Sequence, residues 1–248
     1  MNLINQDFLL VDKPAGLSSF AVVARVRRVL TEQMREDYAA REAAVLRGEM
    51  PKEVLGVKPP KRAKVGHAGT LDPFATGLLI CLLGKGTKKA GEFLKKDKRY
   101  EATIKLGKVS TTGDIEGELF EYAVSGVPDI FQIEAVVKSF QGKIRQRVPA
   151  YSAVKINGRR AYDLARKGVQ VEMPEREVMI YEIKVLDYKW PYLRIDCRVS
   201  SGTYIRALGE DIGKALGVGG YLTELRRTEI GDYSVKDAVT LEDLGILN

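Results

Sequence analysis

The chain has 248 residues, and its 40 lysines and arginines outnumber 33 aspartates and glutamates, which gives a formal net charge of +7. Its composition, 45% apolar and 29% charged, is typical of a globular protein and excludes wholesale disorder and collagen. With two cysteines, one histidine, no signal-peptide pattern and no apolar run near the ~20 residues of a membrane span, we expect a reduced, metal-free, cytoplasmic protein without membrane contact.

The first third of the chain predicts strand, helix, insertion and strand in that order. Phe8–Val11 is a short apolar run that ends at a Pro-Gly turn, which is typical of a strand. Ser18 or Ser19 can cap a helix whose apolar residues recur at helical spacing, namely Phe20, Val23, Val26 and Leu30. The stretch 31–64 is charged and then proline-rich and basic, so we interpret it as an insertion made of a solvated helix and a mobile loop. Leu78–Leu83 predicts a buried strand.

The remaining elements mix strands and helices without a regular βαβ rhythm. Predicted strands are Tyr100–Leu106, with Tyr100, Ala102, Ile104 and Leu106 on one face, then Val178–Leu186 and Leu193–Val199, the last with Leu193, Ile195, Cys197 and Val199 inward. Predicted helices are Ile130–Phe140, Ala161–Lys167 and a third that carries Leu208, Ile212 and Leu216. The pattern favours an α+β fold with a mixed, largely antiparallel central sheet flanked by helices.

The segment from Gly66 to Gly77 has the most distinctive composition in the chain. Asp72 precedes a proline, so it is either the N-cap of one short helical turn or a functional carboxylate. A cap requires neither the flanking glycines nor His67 five residues upstream. The glycines indicate a backbone that something large approaches closely, and a carboxylate there is ionised at neutral pH and can act as a nucleophile or a base.

Two further features concern ligands. A sequence pI near 9.2 is compatible with a polyanionic partner such as nucleic acid, although charge alone does not establish one. The Gly84-Lys85-Gly86-Thr87 stretch resembles a phosphate-binding loop but lacks both the upstream glycine and the Ser or Thr directly after the lysine. We therefore expect no nucleotide cofactor.

Seven ordered stretches carry a family resemblance, and they read LLVDKPAGLSS, GHAGTLDPFATGLLI, DKRYEATIKLG, TTGDIEG, VPAYSAVKINGRRAYDLARKG, VSSGTYIRALGEDIG and LTELRRTEIGDY. Together they resemble the bacterial tRNA pseudouridine synthase B (TruB) family. The resemblance implies a single pseudouridine synthase catalytic domain over residues 1–248 with an RNA-binding cleft. It also implies that uridine-55 in the T arm of tRNA is isomerised to pseudouridine without cofactor or metal.

The resemblance assigns roles to five residues, each of which has a plainer alternative. Asp72 matches the catalytic aspartate, and His67 fills the space that the extruded base leaves in the T loop, unless it is a structural loop histidine. Tyr100 stacks under the flipped uracil and is a candidate for proton transfer from C5, or it is a core tyrosine. Tyr204 lines the uracil pocket or is a hinge aromatic. Arg206 pairs with Asp72 or is a solvated charge.

Further positions follow from the same resemblance. Asp114 orders Arg206 or a substrate contact, or it is a turn aspartate. Lys88 and either Arg226 or Arg227 resemble phosphate contacts. Leu225 closes the uracil pocket or is an ordinary core leucine, and Lys13-Pro14 supports the catalytic loop.

The chain also departs from the larger family members. We expect no C-terminal PUA domain after residue 248, and the 31–64 insertion is longer than the usual link. The basic end of the insertion, with Lys58, Lys61, Arg62 and Lys64, is a candidate for RNA contacts. We expect a monomer whose partner is the tRNA T arm. The alternatives are a non-catalytic tRNA-binding or folding chaperone on the same fold and a guide-RNA-dependent synthase.

Overall fold

A computed structural model of the chain describes residues 1–152, 154–156, 158–165 and 172–246. The strands are β1 (Phe8–Lys13), β2 (Val65–His67), β3 (Thr76–Leu83), β4 (Lys98–Leu106), β5 (Lys108–Ser110), β6 (Leu119–Glu121), β7 (Gly142–Arg147), β8 (Lys155–Ile156), β9 (Arg159–Arg160), β10 (Glu175–Lys189), β11 (Tyr192–Val199), β12 (Gly220–Ile230) and β13 (Tyr233–Ser234). The α-helices are α1 (Ser19–Leu46), α2 (Ala90–Lys95), α3 (Ile130–Ser139), α4 (Ala161–Ala165) and α5 (Ile205–Ala215). Short 3₁₀ helices cover Lys52–Leu55, Gly84–Lys89 and Val235–Asp237.

The chain divides into two compact units. The first unit comprises Met1–Lys95 with Asp232–Asn248, and the second comprises Lys96–Gly231. The expectation of one catalytic domain over residues 1–248 stays a prediction. None of the helices in the described ranges is both long enough and apolar enough to cross a membrane.

In the first unit, strands β1 and β2 both pair antiparallel with β3. Helix α1 covers this sheet through a core of apolar side chains from β1, β3 and the helix, among them Val11, Val22, Val26, Leu79 and Cys81. The C-terminal segment joins the same unit, because the Val239 amide donates to the Leu10 carbonyl at 3.0 Å. The predicted strands Phe8–Val11 and Leu78–Leu83 are confirmed.

Helix α1 begins where the sequence predicted, because the Ser18 side chain accepts a hydrogen bond from the Ala21 amide at 3.1 Å. It then runs unbroken to Leu46, whereas the sequence analysis divided this stretch at Thr31. Of the four apolar residues at the predicted helical spacing, Phe20 does not join the buried face, since its side chain is 65% exposed. At about 100° per residue, Phe20 lies roughly a quarter turn from the centre of the buried stripe. The main apolar members of that stripe are Val22, Val23, Val26 and Leu30.

The basic end of the insertion is docked on α1, so the expectation of a mobile loop is wrong for these residues. Three side chains spaced four residues apart on α1 bind backbone groups of alternate residues in the stretch 61–65. The bonds are Arg27 Nη2 to the Val65 carbonyl at 2.8 Å, the Ala63 amide to Thr31 Oγ1 at 3.0 Å, and Arg35 Nη2 to the Lys61 carbonyl at 2.9 Å. This docking leads the chain from the insertion directly into β2.

The second unit contains an antiparallel sheet in the order β12-β4-β11-β10-β7. All four residues predicted to face inward on β4 are buried, and so are the four predicted on β11. Two small hairpins, β5–β6 and β8–β9, are separate from this sheet. The α+β fold with a largely antiparallel sheet is confirmed. Helix α4 ends at Ala165, and the end of the predicted helix Ala161–Lys167 lies outside the described residues.

Helix α5 lies on the face of the sheet that β4 and β12 present to the core. A Cβ atom added at Gly209 would lie 3.0 Å from a Leu222 methyl and 3.5 Å from Ile104, and one at Gly213 would lie 2.4 Å from backbone atoms of Gly219 and Gly220. Glycine is therefore required at position 213 for the helix to approach β12 this closely, and a Cβ at position 209 would press on the Leu222 side chain. Because Tyr100 shares its side of β4 with Ile104, α5 covers the face that carries Tyr100.

Candidate active site

Asp72 lies in the loop between β2 and β3 and begins no helix, so the N-cap alternative is wrong. The turn after it is closed by a hydrogen bond from the Ala75 amide to the Asp72 carbonyl at 3.1 Å. Gly69 and Gly77 have φ angles of +102° and +99°, which other residues rarely adopt. Gly66 has no such angle, and a Cβ there would meet only Thr87 at 3.8 Å. Two of the three glycines thus serve the conformation of the loop.

A buried lysine holds the residues next to Asp72. Lys13, at the end of β1, is fully buried, and its Nζ donates to the carbonyl of Pro73 at 3.1 Å. The same ammonium binds the carbonyls of Pro14 and Leu17 at 2.9 and 2.7 Å. This contact confirms that Lys13-Pro14 supports the loop that carries Asp72.

The opposite side of Asp72 is held by Ser19 in the first turn of α1. Its hydroxyl donates to the Leu71 carbonyl at 2.9 Å and accepts from the Leu71 amide at 2.8 Å. Both neighbours of Asp72 are therefore bound to the scaffold through their backbones. Because bonds on both sides restrict movement of the loop, the backbone at Asp72 is held in a defined position.

His67 ends β2 and pairs in register with Cys81 of β3. Its ring meets the ring of Phe20 edge to face, with centroids 5.8 Å apart and an interplanar angle of 84°. Since Phe20 is exposed, the pair forms an accessible aromatic surface of the first unit. Lys88 lies in the 3₁₀ helix Gly84–Lys89 and is also exposed.

Arg206 is buried near the start of α5, which makes the solvated-charge alternative wrong. Its Nη1 donates to the Asp114 carboxylate and to the Thr112 carbonyl, both at 3.0 Å, and its Nη2 donates to the Tyr151 carbonyl at 2.8 Å. Three acceptors on two separate segments hold the plane of the guanidinium. The contact between Asp114 and Arg206 is one of the alternatives predicted for Asp114, and the functional role of the pair stays a prediction.

The loop that carries Asp114 is built around its carboxylate and two glycines. Oδ1 of Asp114 accepts from the Thr112 hydroxyl at 2.5 Å and from the Glu116 amide at 3.0 Å. Gly113 has φ +74°, and a Cβ at Gly117 would lie 2.4 Å from Thr112 Oγ1. The TTGDIEG stretch therefore folds into a compact loop that delivers one buried carboxylate to Arg206.

Glu210, one turn after Arg206 on α5, completes this charged cluster and was missed by the sequence analysis. A Cβ added at Gly113 would lie 3.0 Å from its carboxyl carbon, so the loop and the helix are in close contact here. The pKa of Glu210 is raised to about 7, because burial and, to a smaller extent, the negative charges of Asp211 and Asp114 outweigh the positive charge of Arg206. Arg206 thus lies near a further acid, Glu210, whose pKa is close to neutral pH.

Tyr100, Leu225 and Arg227 share one face of the sheet. Tyr100 is the register partner of Arg227, and Leu225 is the partner of Ala102, so all three project to the same side. All three are buried, and because Arg226 alternates with them it projects to the other face and is half-buried. Of the two arginines predicted as phosphate contacts, Arg226 is therefore the more exposed to solvent.

Tyr204 lies at the N-cap position of α5, and two residues that the sequence analysis did not single out contact it. The fully buried amide of Gln146 accepts from the Tyr204 amide at 3.1 Å and donates to its carbonyl at 3.2 Å. The guanidinium carbon of Arg176 lies 5.6 Å from the Tyr204 ring centroid. The start of α5 is thereby tied to β7. No local sequence signal identifies Gln146, since it binds backbone 58 residues away.

Other nucleophiles and metal ligands in the described ranges are poorly suited to chemistry. Burial raises the pKa of both Cys81 and Cys197 to about 12, so neither thiol ionises at neutral pH. Among the residues that the structure describes, no three His, Cys, Asp or Glu side chains come together as a potential metal site.

Comparison with known proteins identifies the family. The model of the TruB family pseudouridylate synthase (N terminal domain) matches residues 52–205, and that of the tRNA pseudouridylate synthase B C-terminal domain matches residues 206–246. The first match covers more than half of the chain. It includes six of the ten predicted site residues, namely His67, Asp72, Lys88, Tyr100, Asp114 and Tyr204.

Curated relatives and a solved structure agree with this result. Proteins named tRNA pseudouridine synthase B from Bordetella avium and Thermobifida fusca are 40% and 42% identical; the matches cover 95% of this chain in both cases and 85% and 73% of the relatives. The solved structure is a Cbf5-Nop10-Gar1 complex, one chain of which is 28% identical with a TM-score of 0.64 over 95% of this chain. This chain spans about half of that one, 52%. The resemblance of the seven sequence stretches is confirmed: the chain belongs to the TruB family of pseudouridylate synthases.

Proposed function

We propose that this protein isomerises uridine-55 in the T arm of tRNA to pseudouridine, without cofactor or metal. The observation that carries the proposal is Asp72, which matches the catalytic aspartate of the family and lies in a loop bound on both sides by Lys13 and Ser19. The relatives that share about 40% identity are named for the same reaction on tRNA. The reaction breaks the bond from C1′ to N1 of the uracil and forms a bond from C1′ to C5, so it needs no external reactant.

In the proposed mechanism the target uridine leaves its stack before the chemistry begins, because its reacting atoms are inaccessible inside the folded T loop. His67 occupies the space that the base leaves, and its edge contact with Phe20 gives the ring a fixed orientation. Tyr100 stacks beneath the uracil, and its hydroxyl is the candidate for moving the proton from C5 once the new bond has formed.

Asp72 supplies the reacting carboxylate. It attacks C1′, attacks C6 of the base, or assists formation of a glycal, and the proposal holds for each of these paths. Arg206 is the proposed ion-pair partner of Asp72, and its planar fork suits this role because it sets the direction of a carboxylate as well as its charge. The bonds from Arg206 to Asp114, Thr112 and Tyr151 support the role, since they fix the guanidinium before substrate arrives.

The remaining predicted residues complete the substrate site in this proposal. Tyr204 and Leu225 line the uracil pocket, and Lys88 and Arg226 bind phosphates, which contributes affinity rather than choice of base. All of these groups belong to one chain, so we propose that a monomer is active. The reaction is expected in the cytoplasm, where two buried protonated cysteines remain reduced.

The test is incubation of the purified protein with unmodified tRNA, followed by site-resolved mapping of pseudouridine. We expect one modified position, in the T loop, and no product from Asp72→Asn, whose tRNA affinity stays close to that of wild type. Product formed by the Asn variant at the wild-type rate would contradict the role of Asp72. Binding without any product from wild type would favour a tRNA chaperone, and product only with an added guide RNA would favour a guide-dependent synthase.

A further inference from the structure

We infer that an arginine-rich groove along α1 binds the phosphodiester backbone of the substrate RNA, an inference that rests on the proposed function. The groove encloses about 340 Å³ between α1 and residues 61–62. Five cationic side chains and one acidic side chain line it: Arg27, Arg28, Arg35, Lys61, Arg62 and Glu32. We call this surface the α1 groove.

The α1 groove is built rather than formed by chance proximity of flexible side chains. Arg27, Thr31 and Arg35 recur every four residues, and each binds a backbone group of the insertion. The bound residues 61, 63 and 65 alternate along an extended chain. The insertion is therefore held against the helix in one register, and this register places Lys61 and Arg62 beside the arginines of α1.

The charge of the α1 groove is largely uncompensated. Glu32 is its one acidic member, and in the described part of the chain Arg28, Lys61 and Arg62 form no ion pair with any acid. All three are exposed, so their charges face water and are available to a ligand. An exposed concave surface of this kind attracts polyanions, and guanidinium groups match the geometry of phosphate oxygens.

The position of the α1 groove points to RNA rather than to another polyanion. Phe20 lies on the same side of α1 as Arg27 and Arg28, and it contacts His67, which the proposed function places in the T loop. At about 1.5 Å per residue, the distance along the helix from Phe20 to Arg35 is roughly 22 Å. A nucleic acid strand that reaches the aromatic pair can continue along this basic surface, which then holds phosphates away from the modified base.

The experiment compares two triple variants across a salt series. Arg28→Gln, Lys61→Gln and Arg62→Gln together remove charge from the α1 groove while leaving the docking bonds of Arg27, Thr31 and Arg35 intact. The matched control replaces three exposed lysines on other elements, Lys138, Lys184 and Lys236, with Gln. Both variants lose the same charge, so only position distinguishes them.

We expect the slope of log affinity for tRNA against log salt to be about two to three units shallower for the groove variant than for wild type. Each lost phosphate contact reduces the magnitude of this slope by about 0.7–0.9. Between 50 and 200 mM salt, wild-type affinity should then fall about 20- to 40-fold more than that of the variant. The control should keep the wild-type slope, and the rate at saturating tRNA should not change in either variant.

Equal slopes for the groove variant and wild type would overturn the inference, as would an equal flattening in the control. Thermal unfolding of the two variants verifies that both are folded. The binding measurement needs no turnover, so it separates this inference from the proposed function. If the salt dependence of tRNA binding is steeper for wild type than for the groove variant, but wild type forms no pseudouridine, the proposed reaction is wrong and the inference that the α1 groove binds RNA is retained.

Discussion

Removing the charge of Asp114 tests whether a buried ion pair positions Arg206. The side chains of Arg206 and Asp114 are 7% and 2% exposed, and their charged atoms lie 3.0 Å apart. Asp114→Asn keeps the size and one carbonyl oxygen of the side chain, so the loop can retain a hydrogen bond to the Thr112 hydroxyl or the Glu116 amide. What the substitution removes is the negative charge opposite the guanidinium.

The expected loss of stability follows from burial. Breaking a buried ion pair by removing one partner costs about 3–5 kcal/mol, because the other charge stays desolvated without compensation. We expect the lower end, about 3 kcal/mol, since the amide oxygen and the carbonyls of Thr112 and Tyr151 still accept from Arg206. Against the ~5–15 kcal/mol typical of a domain, the variant remains folded at moderate temperature and its activity can be measured.

Urea unfolding of Asp114→Asn and of a matched control measures this loss. The control is Glu177→Gln, which removes the acid of an exposed pair with Lys143, 3.2 Å apart with side chains 67% and 64% exposed. Exposed pairs contribute about 0–1 kcal/mol, so the two variants should differ by about 2 kcal/mol or more. Similar losses from both variants would refute the reasoning that burial makes the Asp114–Arg206 pair important.

A double variant separates stability from positioning. Arg206→Met combined with Asp114→Leu replaces both charges with apolar side chains, which is often neutral or stabilising for a buried pair. We expect this variant to remain folded, with a loss limited to the hydrogen bonds that Thr112, Glu116 and Tyr151 give up, and yet to form no pseudouridine. A stable double variant that retains wild-type turnover would show that the pair contributes nothing to the reaction.

Three further predictions concern single side chains. Arg206→Lys should keep an ion pair with Asp114 but lower kcat at least tenfold, because an ammonium cannot hold two carbonyls and a carboxylate in one plane; a change within a factor of about two contradicts this. Lys13→Met should lower the free energy of unfolding by about 1–3 kcal/mol and reduce kcat, because three half-buried carbonyls lose their donor. Urea unfolding and single-turnover kinetics measure the two effects. For Glu210, the pKa of about 7 lies above the ordinary 4.5, so the folded state binds the proton more tightly and stability falls as pH rises through this window. The free energy of unfolding of Glu210→Gln should therefore exceed that of wild type by about 1–2 kcal/mol at pH 8 and by little at pH 4.5, a range that allows for the partial exposure of Glu210. A larger increase at pH 4.5 than at pH 8 contradicts the assignment.

Strands β4 and β11 of the second unit could be predicted because each has one buried face, whereas β7 and β12 of the same sheet were not predicted. Burial on one face of a strand repeats every second residue, and β4 and β11 both show this alternation in their sequences. The same reasoning placed Tyr100 on the inward side. It could not show that Arg227 is the partner of Tyr100, because register between strands far apart in sequence depends on the whole sheet.

The charged groups of the site could not be placed from sequence in this way. Arg206 and Asp114 are separated by 92 positions, and each alone is typical of a solvated residue. Lys13 has the same appearance, although it is fully buried. The nearest local signal was the pair of glycines around Asp114, which indicates a tight loop but not what the loop binds.

Each unit contains a buried cation that binds several backbone carbonyls close to a predicted site residue. Lys13 binds three carbonyls next to Asp72, and Arg206 binds two carbonyls and a carboxylate at the start of α5. Apolar side chains could fill either space, but apolar contacts have no direction. A cation with several acceptors sets both distance and angle. Base isomerisation requires a carboxylate to approach one atom of a flipped nucleotide from a fixed direction. A buried cation with several acceptors can fix that direction, and this explains why the site tolerates the cost of desolvating its charge.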